Sequence, residues 1–377
     1  MTHLTELETP CLILDRDQLE RNLQSMHEHC RRKGVRLRPH LKTAKSLDVV
    51  RLASGGAPLG ITVSTLKEAE YFACADYRDL LLASPVVPNK FAHAARIMAE
   101  TGADLILATD SALVVEAAAG FAAERGIRLS FVIEVDCGEH RSGLPAGDAS
   151  IVDLARALHA SPHLRLRGIM THAGHSYGTD AVSQVRDIAC AERDAAVATA
   201  AAIGAAGLPC DIVSIGSTPT VLFAPDFDGV TEARCGIYMF WDLSQVSRHV
   251  CRVNDIAVTV LASVIGHSKA GRALILDAGA LALSKDLGAH KYTPQAAYGL
   301  VCDAITAEPL PGLAVTLVHQ EHGSVPVSDA VWFERLPVGS LVRVLPNHAC
   351  ITCAAYDAYT VVRGGEVIDT WQRVNGW

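Results

Sequence analysis

The sequence lacks an excess of positive charge, since 33 Lys and Arg residues stand against 41 Asp and Glu residues, a net charge of −8. A protein that binds the phosphate backbone of a nucleic acid needs a basic surface, which this composition disfavours. Charged residues make up only 20% of the chain and apolar residues 50%, which excludes intrinsic disorder. We therefore expect a folded protein with a small-molecule ligand and no nucleic-acid partner.

Long apolar segments are also missing. The most apolar run with helical spacing, residues 195–209, is about 15 residues long, whereas a membrane-spanning helix needs about 18 to 20. Residues 1–10 contain no basic stretch followed by an apolar core, as an export signal would. We therefore predict a cytoplasmic protein without membrane contact.

The cysteines do not have the pattern of a disulfide framework. There are 11 of them, an odd number, at irregular spacing in a chain of 377 residues. Small disulfide-rich domains carry an even number in a short chain. The cysteines therefore indicate a reducing compartment, and the length predicts about two domains or one large barrel with an appendage.

What the sequence does contain is a regular alternation of strand-like and helix-like segments between about residues 35 and 236. Four helices are predicted at 64–74, 88–101, 111–125 and 181–206. Eight strand–helix units are typical of an α/β (β/α)8 TIM barrel. The eight candidate strands are 35–40, 59–63, 79–83, 103–107, 128–136, 164–171, 210–215 and 230–235.

After about residue 245 the pattern changes to short strands with little helical spacing, which indicates a second, mainly antiparallel β domain. We assign the early strand-like run 10–15 to this domain as well. The predicted domains are a barrel of residues 16–244 and a β domain of residues 1–15 and 245–377. The later candidate strands are 256–265, 272–277, 313–320, 340–345 and 359–363.

Reacting groups in such barrels lie at the carboxyl ends of the strands, and several predicted strand ends are polar. Lys42 follows an apolar strand and a Pro-His pair, where a lysine amine can form a Schiff base or act as a general base; a solvated lysine is the alternative. Other polar strand ends hold Arg38 and His40, Asp136 to Arg141, Thr171 to Tyr177, Gly216 to Thr218, and Glu232, Arg234, Gly236 and Tyr238.

Gly216, Ser217 and Thr218 offer backbone N–H groups and hydroxyls that suit a phosphate dianion, although the same residues are ordinary in loops. Arg141 can reach the same ring of loops, or it is a surface arginine. A lysine, a phosphate-binding loop and an arginine on three barrel strands together indicate pyridoxal 5'-phosphate (PLP).

A second candidate site lies at residues 346–350, PNHAC, in the β domain. His348 and Cys350 lie two residues apart on a segment predicted to be extended, so their side chains project to the same side and can bind one Zn²⁺. The alternative is a packed histidine and a buried free thiol. The segment from Gln320 to His322 is a candidate substrate contact, a candidate hydrogen-bond partner of the metal ligands, or simply a turn. His40 is a further candidate substrate contact.

These residues lie in segments that resemble the D-serine dehydratase and D-threonine aldolase group, whose members look like alanine racemase in fold. The resemblance covers nearly the whole chain in order. The matching segments are TPCLILD at 9–15, LRPHLKTAKS at 37–46, GITVSTLKEAE at 60–70, EVDCGEHRSG at 134–143, THAGHSY at 171–177, VSIGSTPT at 213–220, QEHG at 320–323 and PNHAC at 346–350.

The resemblance implies a barrel that holds PLP, a β domain that brings a metal, and a homodimer. It makes Lys42 the lysine that binds PLP through a Schiff base and places Arg141 near the phenolic oxygen. His348 and Cys350 become the ligands of Zn²⁺, with Mn²⁺ or another divalent metal as the alternative. The remaining implied PLP-binding residues are His172, Tyr177, Gly216, Ser217, Thr218, Gly236 and Tyr238.

The group divides into dehydratases and aldolases, and the thiol of Cys350 favours the dehydratases. Aldolases of the group carry a carboxylate there, a hard ligand for manganese, whereas a thiolate is soft. We therefore predict a PLP- and zinc-dependent lyase that converts D-serine to pyruvate, or D-threo-3-hydroxyaspartate to oxaloacetate, with release of ammonia. The alternatives are a D-threonine aldolase, an amino-acid racemase and a non-catalytic PLP-binding protein. For the second carboxylate of hydroxyaspartate, Lys285, His290 and Lys291 are candidates, or they are surface charges.

Overall fold

The computed structural model describes residues 2–55 and 59–377. The chain divides into two compact units, Met1–Gln24 with Ile237–Arg373, and Ser25–Gly236 with Val374–Trp377. Each unit contains its own β-sheet. None of the helices in the described part of the chain is long and apolar enough to cross a membrane.

The unit Ser25–Gly236 contains a ring of eight parallel strands. Neighbouring strands pair in the order 1-8-7-6-5-4-3-2, and a parallel bridge between His40 and Thr62 joins the two ends of this order. The eight predicted strands are therefore confirmed, although the first and the last are only two residues long. Barrel strands 1 to 8 are Arg36–Leu37, Ile61–Val63, Asp79–Pro85, Asp104–Thr109, Leu129–Asp136, Leu164–Thr171, Ile212–Ile215 and Glu232–Ala233.

The central barrel strands are mostly buried on both faces because helices cover the outside of the sheet. Strand 5 illustrates this, since all its residues from Leu129 to Val135 are buried. Strands 3 to 7 contribute a buried apolar cluster that includes Leu81, Val132 and Met170. The helices are Arg16–Arg32, Leu47–Ala53, Leu66–Ala73, Phe91–Thr101, Ala112–Arg125, Ser150–Ala160, Val182–Ala205 and Thr218–Phe223.

The other unit is built on a mixed sheet of eleven strands. Cys11–Asp15 lies inside this sheet, antiparallel to Val258–Ser268 and parallel to Ala358–Arg363. The other strands of the sheet are Thr2–His3, Ala273–Leu276, Gly299–Asp303, Pro309–Ala314, Leu317–Val318, Gly323–Pro326, Leu341–Pro346 and Glu366–Gln372. Its short α-helices are Leu243–Val246, Ala280–Leu283, Val331–Arg335 and Ala349–Cys353.

Two sequence predictions for this unit were wrong. The single strand predicted at 313–320 is two strands, Pro309–Ala314 and Leu317–Val318, which pair with different neighbours. The segment around Cys350 is not extended, because the strand Leu341–Pro346 ends before His348 and the helix Ala349–Cys353 begins directly after it.

The amino ends of the barrel strands carry a buried ion-pair network. Arg38 is 1% exposed; its Nε donates to Glu232 Oε2 at 2.8 Å and its Nη2 to Asp79 Oδ2 at 2.9 Å. Glu232 is fully buried and also accepts a hydrogen bond from Ser214 Oγ at 2.7 Å. The expectation that Arg38 and Glu232 belong to the polar carboxyl ends was therefore wrong, since both side chains belong to the opposite end of the barrel. Polar groups at that end of a barrel serve stability rather than catalysis.

We expect Glu232→Gln to lower the free energy of unfolding by about 3 kcal/mol, because it leaves the buried Arg38 guanidinium without its one fully buried carboxylate partner and with only the partly exposed Asp79. Burial raises the pKa of the Glu232 carboxyl, but the charge of Arg38 and the hydrogen bonds outweigh it, so the pKa is lowered in the folded protein. The stabilisation is therefore present above the ordinary pKa of 4.5 and is lost as the pH falls through the lowered value.

Urea unfolding of the wild type and the variant at several pH values measures both effects. The exposed pair of Glu124 and Arg125 provides the control, and Glu124→Gln should change stability by less than about 0.5 kcal/mol. Equal stability of Glu232→Gln and the wild type at neutral pH would contradict the assignment.

Candidate active site

A cavity of about 310 Å³ lies within the barrel unit. This volume falls in the range of small-molecule sites, about 300 to 1,000 Å³. The cavity brings together residues from loops that are far apart in the sequence. Eight of the candidate cofactor residues and His40 line it: Lys42, Arg141, His172, Tyr177, Gly216, Ser217, Thr218 and Gly236.

Lys42 lies in the turn that follows barrel strand 1. The turn is fixed on both sides, because Leu41 N–H donates to Thr62 O at 2.9 Å and Lys45 N–H donates to Leu41 O at 2.7 Å. His40 precedes the turn and hydrogen-bonds through Nε2 to Ser64 Oγ at 2.9 Å. Burial and the charges of Lys42 and Arg234 hold the pKa of His40 well below its ordinary value, so its ring is neutral. The amine of Lys42 is therefore presented to the cavity from an ordered turn.

The loop after barrel strand 7 has the features of a phosphate cradle. A Cβ atom at position 216 would overlap the carbonyl oxygen of Arg234, so only glycine allows the loop to lie against barrel strand 8. Ser217 caps the helix Thr218–Phe223, since its side chain accepts a hydrogen bond from Thr220 N–H at 3.3 Å. Thr218 Oγ1 is buried and has no hydrogen-bond partner within residues 2–55 and 59–377. An oxygen of a bound phosphate would satisfy this hydroxyl, so the loop fits PLP.

His172 connects this loop to the end of barrel strand 6. Its Nδ1–H donates to Gly216 O at 2.5 Å. Burial and the neighbouring charges of Lys42 and Arg141 lower the pKa of His172 to about 3. The imidazole is therefore neutral at physiological pH, and its Nε2 carries the lone pair. A neutral ring of fixed orientation suits a contact with a cofactor ring.

Two buried charged residues of the cavity wall, Arg234 and Glu134, were given no site role in the sequence analysis. Arg234 donates from Nη1 to Ser214 Oγ at 3.1 Å and from Nη2 to Thr171 O. Glu134 accepts a hydrogen bond from Ser142 Oγ at 2.9 Å, and burial raises its pKa. Alternation along barrel strand 5 was the available signal, because Glu134 follows apolar Val132 by two residues and so lies on the same face.

Arg141 lies in the loop that follows barrel strand 5. Asp136 orders this loop, since its Oδ1 accepts hydrogen bonds from the N–H groups of Gly138 at 2.8 Å and His140 at 3.0 Å. The guanidinium of Arg141 lies 3.6 Å from Glu139 and is 55% exposed. Its position in the cavity wall therefore depends on the loop and not on deep burial of its own side chain.

The candidate metal pair lies in the other unit. His348 Nδ1 hydrogen-bonds to Asp286 Oδ2 at 2.6 Å, and its ring also hydrogen-bonds with Cys350. Burial lowers the pKa of His348, but the bonds to Asp286 and Cys350 outweigh it and raise the pKa to about 11. Within the part of the chain that the structure describes, no cluster of three or more His, Cys, Asp or Glu side chains is arranged for a metal. The imidazole and the thiol fit two positions of a zinc shell, and water or substrate would have to complete it.

The remaining candidate residues are not among those that line this cavity. Gln320 and His322 are exposed in the turn between Leu317–Val318 and Gly323–Pro326, and their backbone carbonyls accept hydrogen bonds from Leu281 N–H and His319 N–H. Tyr238 is fully buried in the short 3-10 turn Ile237–Met239. Lys285, His290 and Lys291 are exposed.

Two family models match the chain. Residues 14–244 match the alanine racemase N-terminal domain, and residues 257–362 match a putative serine dehydratase domain. The chain belongs to the alanine racemase-like family. Within this family it carries the serine dehydratase domain, which confirms the resemblance and the fold class predicted from the sequence.

Three members of the family are similar to the chain over nearly its whole length. D-threo-3-hydroxyaspartate dehydratase of Delftia sp. strain HT23 is 41% identical, with 99% of both chains covered. 3-Hydroxy-D-aspartate aldolase of Paracoccus denitrificans is 32% identical, with 97% of this chain and 92% of the aldolase covered. D-serine dehydratase of Dictyostelium discoideum is 28% identical, with 99% and 98% covered.

The family fold is also seen in solved structures. The Delftia dehydratase has a TM-score of 0.97 at 40% identity, and the alignment covers all of both chains. A His→Ala variant of that enzyme has a TM-score of 0.96, and a Cys→Ala variant in a metal-free form has one of 0.97.

Proposed function

We propose that this chain is a PLP-dependent dehydratase of D-3-hydroxy amino acids, a carbon–oxygen lyase. The preferred substrate is D-threo-3-hydroxyaspartate, converted to oxaloacetate and ammonia, and D-serine is the second candidate. The observation that carries the proposal is that Lys42 and Thr218, whose buried hydroxyl is unsatisfied, line the same cavity. The similarity to the Delftia dehydratase over 99% of both chains selects the reaction.

Different residues around the cavity would hold different parts of the cofactor. Lys42 Nζ would bind the aldehyde carbon, and Ser217 and Thr218 would hold the phosphate. His172, Tyr177 and Arg141 would contact the ring and its phenolic oxygen. PLP, when bound, supplies an electron sink for negative charge on the α-carbon of the substrate.

The protein's own groups favour an anionic ligand in this cavity. Lys42, Arg141 and Arg234 line it, and Glu134 is the carboxylate in the same wall. The two histidines remain neutral because those cations and burial disfavour their protonation. The cavity therefore attracts the phosphate dianion and the substrate carboxylate.

Lys42 also provides the base for the reaction. Its Nζ, which lines the cavity, would take the α-proton from a substrate held there. The rings of His40 and His172 are neutral, so they add no positive charge beside Lys42. The enamine released after loss of the β-hydroxyl hydrolyses to the keto acid and ammonia.

We further propose that His348 and Cys350 bind Zn²⁺. Such a metal, when bound, is a Lewis acid that stabilises a departing hydroxide. The Cys→Ala variant of the Delftia enzyme is described as metal-free, and the histidine replaced in its other variant lies two residues from that cysteine, the spacing of His348 and Cys350. Asp286 would orient the imidazole, as carboxylates commonly do for metal-bound histidines.

The domain limits, the assembly and the location belong to the same proposal. Residues 16–244 form the PLP-binding barrel, and residues 1–15 and 245–377 form the metal-binding β domain. The protein acts as a homodimer, as the family resemblance implies. No disulfide bond joins any of the 11 cysteines, all of which lie in the described residues 2–55 and 59–377, and this supports a reducing cytoplasm.

The test is product analysis with purified protein, PLP and Zn²⁺. We expect oxaloacetate and ammonia from D-threo-3-hydroxyaspartate, and pyruvate from D-serine with a lower kcat/KM. The L-enantiomers are the controls. Glycine and an aldehyde from D-threonine, without keto acid from the other substrates, would establish a D-threonine aldolase instead. Metal-independent interconversion of enantiomers would establish a racemase.

A further inference from the structure

Glu192 is a buried carboxylate behind the phosphate cradle that the proposed mechanism does not use. It lies in the helix Val182–Ala205 and is fully buried. Its Oε1 accepts hydrogen bonds from Gly216 N–H at 3.0 Å and Thr171 Oγ1–H at 2.9 Å, and its Oε2 accepts one from Thr220 Oγ1–H at 2.8 Å. Three donors from three different segments therefore converge on one carboxylate.

These three hydrogen bonds fix which groups of the phosphate cradle act as donors and which as acceptors. Thr220 has a single hydroxyl hydrogen, and it goes to the carboxylate because an ionised acceptor binds more strongly than a neutral one. Thr220 Oγ1 is then an acceptor for Ser217 N–H at 3.2 Å. The N–H groups of Gly216 and Ser217 are thus both taken up inside the protein, and the loop around Thr218 is held in one conformation.

We propose that Glu192 is a positioning residue for the phosphate of the cofactor, acting through Gly216 and Thr220 without touching the phosphate. The inference rests on the proposed function, in which Thr218 contacts this phosphate. A direct contact is excluded by charge, since a carboxylate repels a dianion. The three hydrogen bonds satisfy the buried charge of Glu192, so the same contacts that fix the loop also make burial of the carboxylate possible.

A purely structural role of Glu192 makes a different prediction from a positioning role. Loss of packing or of general stability would weaken every ligand of the cavity to the same extent. Loss of phosphate positioning would weaken PLP and leave pyridoxal, which has the same ring and aldehyde but no phosphate, unchanged. The ratio of the two dissociation constants therefore separates the two roles.

The experiment measures binding of PLP and of pyridoxal to the full-length protein after removal of its cofactor. For Glu192→Gln we expect PLP to bind about tenfold more weakly, the change expected for one lost hydrogen bond to a charged group, and pyridoxal to bind as in the wild type. Thr199→Ala is the matched control. Thr199 is buried on the same helix, two turns further on, and its hydroxyl donates to Ala195 O of its own helix at 2.7 Å, so both affinities should stay unchanged.

A second variant, Thr220→Val, removes the same contact from the loop side and tests the inference if Glu192→Gln does not fold. It should also weaken PLP selectively. Equal weakening of both ligands, or unchanged PLP affinity in both variants, would overturn the positioning role. If the wild type binds PLP no more tightly than pyridoxal, the assignment of the phosphate cradle is wrong, and the proposed function is wrong with it. If the wild type prefers PLP and both variants keep that preference, only the positioning role of Glu192 is wrong.

Discussion

Replacement of Lys42 by alanine is expected to abolish both the yellow absorbance of protein-bound PLP and the formation of keto acid. The turn that carries Lys42 is held by the bonds of Leu41 and Lys45, so the substitution removes the amine without removing the turn. In the proposed mechanism, loss of that amine removes both the covalent bond to the cofactor and the base that takes the α-proton. Turnover should fall by about 1,000-fold or more.

Absorbance spectra and a coupled keto-acid assay of the same preparations measure this prediction. Lys42→Arg keeps the positive charge but cannot form a Schiff base, and it should be as inactive as the alanine variant. Lys67→Ala is the control, because Lys67 is an exposed lysine on the helix Leu66–Ala73. Yellow, active Lys42→Ala protein would remove Lys42 from the mechanism.

Replacement of Cys350 by alanine is expected to eliminate dehydration while PLP stays bound. The thiol hydrogen-bonds with His348, and its removal leaves a single imidazole, which is too few donors to retain Zn²⁺. Since hydroxide is a poor leaving group, loss of the metal should lower turnover by about 100-fold or more. Metal content, PLP absorbance and keto-acid formation are measured together.

Cys353→Ala is the matched control for this prediction. Cys353 lies on the same short helix, three residues after Cys350, and is fully buried. Its replacement should leave the metal content unchanged. Full activity of metal-free Cys350→Ala protein would argue against a metal in dehydration, and loss of metal from Cys353→Ala would point to a CxxC site instead.

The barrel could be predicted because periodic features of the sequence are local. Each barrel strand is a short apolar run followed by a helix with its own period, so eight units can be counted without knowing how they meet. The short strands Gly299–Asp303 and Gly323–Pro326 were missed because they have no clear local pattern of this kind. They contain glycine or proline, and each pairs with a strand far away in the sequence as well as with a nearby one.

The candidate site was predictable where one residue type has a distinctive chemistry at a strand end. Lys42 and the loop at Gly216 are such cases, and both line the cavity. The direction of Arg38 and Glu232 was not predictable, because a polar residue near a strand end can face either end of a barrel. Glu192 lay beyond sequence reasoning altogether, since its partners are Thr171, Gly216 and Thr220 and nothing in its own helix marks it.

The most direct test of the account is to identify the lysine that carries the cofactor. Borohydride reduction of the PLP-loaded protein converts a Schiff base to a stable bond, and mass spectrometry of the peptides then locates the phosphopyridoxyl group. The account predicts that this group is found on Lys42, and that D-threo-3-hydroxyaspartate added before the reduction displaces it. A phosphopyridoxyl group on another lysine, or none after reduction of protein that has bound PLP, would contradict it.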